Sequence, residues 1–323
     1  MKHVIFYEAF EEERSAIKRL LPSNIKAAFT RKTIQESGHK NPPARLISVR
    51  TQSVIPKRWA TRIKAVLTRS QGYDHLARYR RESGFEGAAG HLGNYCARSV
   101  AEHAALSMMM LFRRIKKQLK QFDSFKRDGL TGRECLNKNA CVIGVGSIGS
   151  QIVDILKGLK MNVRGVDIDP RRKGLTYVPL KRGVSWADVI ICALPLTDKT
   201  NGLLDYRLLK NAKIGSVFIN IARAEISPVG DLKRLLDEGV LGGLALDVYP
   251  DEAALAARFR GGRGKSTKTQ RIIADLGKKE NVVCTPHNAF NTAEALEEKA
   301  RRSVASVGAY LRKGIFPRPV PAP

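Results

Sequence analysis

Residues 141–170, CVIGVGSIGSQIVDILKGLKMNVRGVDIDP, restrict the fold more than any other segment of this chain. An apolar strand runs into Gly144, Gly146 and Gly149, and those glycines open an amphipathic helix. A second strand, NVRGVDI, follows, with Asp167 near its end, 18 residues after Gly149. Glycines at such a turn let a ligand approach the backbone, so that a pyrophosphate rests on the free N–H groups of the helix start. Asp167 can accept hydrogen bonds from adenosine ribose hydroxyls. A glycine turn without a ligand accounts for the three glycines but leaves the acid without a purpose. Strand, turn, helix and acid together form the context required of a dinucleotide-binding unit. The carboxylate also repels a 2′-phosphate, so NAD is expected over NADP. Arg171, Arg172 and Lys173 follow closely and work against that preference, because they could receive a phosphate.

The motif begins at residue 144, so another domain precedes it. The runs HVIFY, KAAFT, RLISV and KAVLT alternate with helical or turn segments, the rhythm of parallel strands joined by helical crossovers. Ser99 and Glu102 fit a capping box ahead of VAEHAALSMMMLF, which predicts a long helix starting there. A last helix is expected near NTAE with Asn291 as its cap, ending at Gly314. The proline-rich tail IFPRPVPAP is expected to be extended.

Composition narrows the function classes. The chain has 323 residues and 43% hydrophobic content, enough for two globular domains. Its apolar runs fall far short of the ~18–20 residues of a membrane helix. Its start, MKHVIFYE, has too short an apolar stretch for a secretory signal, so a cytoplasmic protein is expected. The five cysteines are odd in number and lack metal-ligand spacing. They are expected to be reduced and mostly structural, with no metal site. The net charge is +27. Such a charge suits a nucleic-acid partner, small anions, or the general habit of the source proteome. No DNA-reading motif accompanies it, so nucleic acid is not the expected partner. The densest basic cluster, RFRGGRGKSTKTQR at Arg258 to Arg271, is expected to form a mobile surface loop.

Seven segments, in order, carry a resemblance over nearly the whole chain: RSQGYDHL, NYCARSVAEHA, GVGSIG, ALPLTDKTNGLL, VFINIARAE, LGGLALDVYPDE and CTPHNAF. Together they resemble the D-2-hydroxyacid dehydrogenase family. TPHNAF, and Tyr95 seven residues before Glu102, are most similar to its D-lactate dehydrogenase branch. The resemblance implies an α/β chain of two Rossmann-like, doubly wound parallel-sheet domains. A flavodoxin-like substrate domain would take residues 1–95 and 292–323, and an NAD-binding domain residues 96–291. It further implies a cleft between them and a homodimer. Arg223, Glu252 and His287 match the family's catalytic trio. Gly144, Gly146, Ser147, Ile148, Gly149, Asp167, Pro195, Ala222 and Asp247 match its cofactor contacts, with Asp247 on the nicotinamide carboxamide. Backbone groups at Gln71 and Gly72 match the site for the substrate carboxylate, with Tyr95 and Phe290 as pocket-lining residues.

The chemistry explains these residue types. A 2-keto acid must be held by its carboxylate, with its carbonyl polarised, while hydride arrives from the nicotinamide. The planar fork of Arg223 suits both tasks. His287 can donate a proton to the developing alkoxide and recover it in reverse, and Glu252 can hold its second ring nitrogen. Glu252 and His287 stand 35 residues apart, a long interval that the basic cluster lengthens. Two departures stand out. Ala224 replaces the glycine that commonly follows the arginine, and Ser227-Pro228 are expected to start the next helix. The expected activity is reversible hydride transfer between NADH and a small 2-keto acid resembling pyruvate. Alternatives within the family are dehydrogenases of glyoxylate, hydroxypyruvate, phosphoglycerate or phosphite. An alternative of another class is an NAD-sensing corepressor.

Overall fold

The structure is a computed structural model and describes residues 2–262 and 265–321. The chain forms two compact units, Met1–Cys96 with Asn291–Pro323, and Ala97–Phe290. Each is built on one all-parallel sheet.

The first unit contains β1 (Val4–Phe6), β2 (Ala27–Phe29), β3 (Leu46–Val49), β4 (Ala65–Thr68) and β5 (Ala88–His91), in the order β2-β1-β3-β4-β5. That is the flavodoxin-like order. β1, β3 and β4 are buried throughout, as strands covered on both faces must be, which is why they read as continuous apolar runs. β5, sequence AAGH, has no such run. Gly90 there admits Phe316, because a Cβ would fall 2.4 Å from its ring. The described part of the tail is tied down by the Gly90–Pro319 bridge and by burial of Val320, while Ala322 and Pro323 lie outside the described residues.

The second unit contains β6 (Asn139–Ile143), β7 (Asn162–Val166), β8 (Thr176–Tyr177), β9 (Val189–Cys192), β10 (Ser216–Asn220), β11 (Leu241–Leu246) and β12 (Val282–Cys284). The order is β12-β11-β10-β9-β6-β7-β8, the dinucleotide-binding arrangement with one added edge strand. The progression of the strand order reverses between the parallel neighbours β6 and β9, and the glycine turn stands at the end of β6. Ligands of such sheets bind at that switch point.

Three helix starts differ from the sequence expectation. The helix Ala97–Phe112 begins before Ser99, whose hydroxyl donates to the Phe290 carbonyl at 3.2 Å. The helix Ala293–Lys313 is capped by Thr292 rather than Asn291, and ends as expected at Gly314, φ 72°. Ser227 does not cap the helix Val229–Asp237. Its hydroxyl accepts from Asn220 Nδ2 at 2.7 Å. For the two serines a partner elsewhere in the chain claims the hydroxyl, and at the last helix the next residue's hydroxyl caps instead. Described residues of the basic segment lie at two helices rather than in one loop: Arg258 belongs to the helix Glu252–Phe259, and Thr267 caps the helix Lys268–Lys278. Arg263 and Gly264 lie outside the described residues.

The first unit contains a fully buried ion cluster. Glu13, on the helix Glu11–Leu20, lies 2.8 Å from Arg69 Nε and 2.8 Å from Lys299 Nζ, and all three side chains are 0% exposed. Arg69 also donates to Ser48 Oγ and to the Tyr7 carbonyl, so it ties the ends of β1, β3 and β4 together. Burial works against the Glu13 carboxylate, but Arg69 and then Lys299 outweigh it and hold the group at about 2. Burial and then Arg50 push Lys299 down to about 7, against the pull of Glu13. A folded-state value below the ordinary 4.5 means Glu13 stabilises fully above about pH 4.5. That contribution disappears as pH falls through 2. Glu13→Gln leaves two cations buried together and should cost about 3–5 kcal/mol. Urea unfolding at pH 7, followed through buried Trp59 in a Trp186→Phe background, should show the loss, and the difference from wild type should shrink towards pH 2.

Candidate active site

The glycine turn fits a dinucleotide at the three places where it must. Gly144 has φ +89°, and a Cβ would lie 2.8 Å from the Ala193 carbonyl. At Gly149 a Cβ would come within 1.9 Å of the Gly144 oxygen, so only glycine lets the helix Ser147–Gly158 sit this close to its strand. At Gly146 nothing lies within 4 Å of a Cβ. The space a pyrophosphate needs is therefore open, beside the start of the helix at Ser147 and Ile148.

Asp167 follows β7. Its Oδ2 accepts from Val145 N at 2.6 Å and its Oδ1 from Asp169 N at 2.9 Å. A carboxylate has about four lone-pair sites, so two remain for ribose hydroxyls. Arg171 pairs with Asp169 at 2.5 Å. Arg172 pairs with Asp154 and donates to the Ser150 carbonyl. On the other side of the switch point, Pro195 follows β9, and its carbonyl accepts from Thr200 Oγ1 at 2.6 Å.

Arg223 stands on the loop after β10, with Nη1 donating to the Ala222 carbonyl at 2.8 Å. Buried Asn220 shapes that loop: its Oδ1 accepts from Ala222 N and its Nδ2 donates to the Arg223 carbonyl. Ala224 opens a short 3-10 turn and is absent from the positive-φ residues, so its methyl imposes no backbone strain.

Glu252 and His287 meet. Glu252 is the first residue of its helix, where the helix dipole favours a carboxylate, and its Oε2 lies 2.6 Å from His287 Nδ1. Both sides of the pair carry left-handed backbone: Asp251 has φ 46° and His287 φ 51°. Such conformations cost on the order of 1–3 kcal/mol and persist only when neighbours enforce them. Asp247 is that neighbour for His287. It is 3% exposed and accepts from Thr285 Oγ1 at 2.6 Å, Asn288 N at 2.8 Å and Ala289 N at 3.0 Å. Much of its acceptor capacity thus goes to the turn that carries the histidine. His103 Nε2 reaches Thr285 Oγ1 at 3.1 Å, and Tyr249 OH donates to the Leu246 and Thr285 carbonyls. Phe290 is 8% exposed and closes this turn as part of the core.

Asn220, His103, Thr285 and Tyr249 are supporting residues that the sequence did not single out. The available signal was a polar residue at the end of an apolar strand, as in VFIN. Gln71 and Gly72, in the turn after β4, and Tyr95 belong to the first unit. Ser70 braces that turn, donating to the Gly72 carbonyl and pairing with Thr68 Oγ1. Among the described residues no group of three or more His, Cys, Asp or Glu is placed to hold a metal, and the five cysteines are free thiols. Burial pushes the Cys141 and Cys192 thiols up to about 12. No described helix is long and apolar enough to cross a membrane.

Residues 103–289 match the family profile "D-isomer specific 2-hydroxyacid dehydrogenase, NAD binding domain". The D-lactate dehydrogenase of Escherichia coli K12 is 33% identical over 226 residues, covering 68% of this chain and 68% of that protein. D-lactate dehydrogenase kk1H of Curvularia clavata is 29% identical over 266 residues, 80% of this chain and 75% of that one. Among solved structures, Aquifex aeolicus D-lactate dehydrogenase complexed with NAD and lactic acid superposes with TM-score 0.82 at 27% identity, covering 98% and 99% of the two chains.

The glycines yield a paired prediction. Gly146→Ala should keep the melting temperature but weaken NADH binding about tenfold or more, roughly 1.4 kcal/mol, as titrated by fluorescence. Gly149→Ala should lower the melting temperature itself, because its methyl collides with backbone.

Proposed function

The chain belongs to the D-isomer specific 2-hydroxyacid dehydrogenase family, and from that premise we propose that it reversibly reduces a small, pyruvate-like 2-keto acid to the D-2-hydroxy acid. Membership makes it an NAD-dependent oxidoreductase acting on the CH–OH group of hydroxy acids. The single observation that carries the finer reading is the 2.6 Å contact between His287 Nδ1 and Glu252 Oε2.

Bound nicotinamide supplies or accepts the hydride. The N–H groups of Ser147 and Ile148 beside Gly144, Gly146 and Gly149 would hold the pyrophosphate, and Asp167 the ribose. Pro195, Ala222 and Asp247 are assigned to the rest of the cofactor. Pairing of Arg171 with Asp169 and of Arg172 with Asp154 leaves both guanidinium groups committed, which supports NAD over NADP.

His287 uses Nδ1 for Glu252, so Nε2 is the atom that donates a proton to the substrate oxygen and recovers it in the reverse direction. Glu252 keeps the ring from turning and offsets the charge it carries before donation. Arg223 binds the substrate carboxylate and polarises the keto oxygen with parallel N–H donors. Gln71 and Gly72 add backbone donors to the carboxylate, and Tyr95 and Phe290 are assigned to the substrate side chain.

The reading includes a cytoplasmic homodimer without a nucleic-acid partner. Leu119, Phe122 and Phe125, 69%, 70% and 73% exposed on one short stretch, support a self-association surface.

NADH oxidation against a panel of 2-keto acids tests the reading. Wild type should turn over at least one small 2-keto acid and form the D-isomer. His287→Gln should lower kcat by about 10²- to 10⁴-fold, the usual worth of a positioned proton donor. Glu252→Gln should lower kcat less. Undiminished turnover by His287→Gln would remove the histidine from the proposed role.

A further inference from the structure

The turn after β4, to which the proposed function assigns the substrate carboxylate, is held by a chain of hydrogen bonds that begins at His75. His75 is the second residue of the helix Asp74–Ser83, and its Nε2 lies 2.9 Å from Thr68 Oγ1. Thr68, the last residue of β4, is fully buried. Its Oγ1 lies 2.7 Å from Ser70 Oγ, which lies 2.7 Å from the Gly72 carbonyl oxygen.

Protons fit along this chain in one order only. A carbonyl can only accept, so the single Ser70 hydroxyl proton goes to Gly72. Ser70 Oγ must then accept from Thr68, which uses the Thr68 proton. Thr68 Oγ1 must in turn accept from His75, so Nε2 carries a proton. All three hydrogen bonds therefore run one way, from the helix to the turn.

The other two carbonyls of the turn are held as well. The Ser70 carbonyl accepts from Leu92 N at 3.2 Å. His91 Nδ1 accepts from Gly93 N at 3.2 Å, and the same ring hydrogen-bonds the Gln71 backbone. That second bond favours the charged ring, so the ring donates and the Gln71 carbonyl accepts. A trans peptide is planar, with its N–H opposed to its C=O. The Gln71 N–H shares a plane with the Ser70 carbonyl, and the Gly72 N–H with the Gln71 carbonyl. Both N–H groups thus point away from the donors that hold those carbonyls. Gly72 has no Cβ to restrict its torsions, so the tie on its own carbonyl is what keeps the end of the turn from rotating.

We propose that His75 is a positioning residue for the substrate turn. Through Thr68 and Ser70 it fixes the Gly72 carbonyl, and so keeps the N–H groups of Gln71 and Gly72 aimed at the substrate carboxylate. The proposal rests on the 2-keto acid reductase reading, and its geometry lies wholly within the first unit.

Steady-state NADH oxidation by the full chain, with a 2-keto acid that wild type turns over, tests it. His75→Leu removes the first donor. It should raise the KM for the keto acid about 3- to 10-fold, the range for one lost neutral hydrogen bond. Because the turn binds ground state and transition state alike, kcat should stay within about twofold, and the KM for NADH should not move. His75→Gln, whose side-chain amide can donate from the place of Nε2, should recover most of the loss. A double-mutant cycle separates a connected chain from independent packing. Ser70→Ala should raise KM similarly, and adding His75→Leu to it should raise KM by less than about 1.5-fold more. An unchanged KM in His75→Leu, no recovery in His75→Gln, or fully multiplicative effects in the double variant overturns the proposal. If His75→Leu does not fold, nitrogen-15 NMR of wild type decides: the His75 Nε2 should carry a proton, and an unprotonated Nε2 overturns the proposal. Turnover by wild type with no shift of KM in His75→Leu sinks this inference and spares the reading beneath it. No turnover of any 2-keto acid by wild type sinks both.

Discussion

Asp247 ties the end of β11 to the turn beyond β12, and the arrangement around the histidine depends on that tie. β11 and β12 pair in parallel with Leu246 opposite Cys284, which places Asp247 beside Thr285. From there one carboxylate gathers the Thr285 hydroxyl and the N–H groups of Asn288 and Ala289. The turn so clamped holds His287 in the left-handed region, where a histidine does not settle unaided. On the facing side Asp251, also left-handed, starts the short helix whose first residue is Glu252. The contact between imidazole and carboxylate is thus assembled by backbone geometry from two directions. A chain that relaxed either turn would separate the pair.

The two units solve different electrostatic problems with related sheets. In the second, the glycine turn keeps space open beside a helix start, and Arg171 and Arg172 are paired with Asp169 and Asp154. In the first, charge is buried outright. Arg69, fixed by Glu13, Ser48 and the Tyr7 carbonyl, immediately precedes the Ser70–Gly72 turn. A buried network of this kind is costly unless complete. Here it anchors the start of a turn to which the proposed function assigns substrate binding.

Much of the architecture was legible because parallel strands are apolar on both faces. HVIFY, RLISV and KAVLT stand out for that reason, and the glycine motif announced its own strand, turn and helix. β5 escaped because AAGH relies on close approach by Phe316 rather than on bulky side chains of its own. Helix starts were misread where a serine matched a capping pattern while another group held it, and where Asn291 stood next to a threonine that caps instead. Ser99 is held by Phe290, 191 residues on, and no local rule sees that distance. The supporting residues around the candidate site were illegible for the same reason. Asn220, His103 and Tyr249 act through contacts across strands and loops, and Asp247 looks in sequence like any acid after a strand. Glu252 and His287 were paired through resemblance, since a spacing of 35 residues does not itself bring two side chains together.

The proposed function assigns the 2.6 Å contact between Glu252 Oε2 and His287 Nδ1 to a proton on Nδ1, and so assigns Nε2 to the substrate. Nitrogen-15 NMR of protein labelled in its six histidine rings reads this directly. The His287 Nδ1 should carry a proton with the far-downfield shift of a short hydrogen bond, and Glu252→Gln should abolish that shift while leaving the other rings in place. An unprotonated Nδ1, or a signal indifferent to Glu252→Gln, would contradict the account.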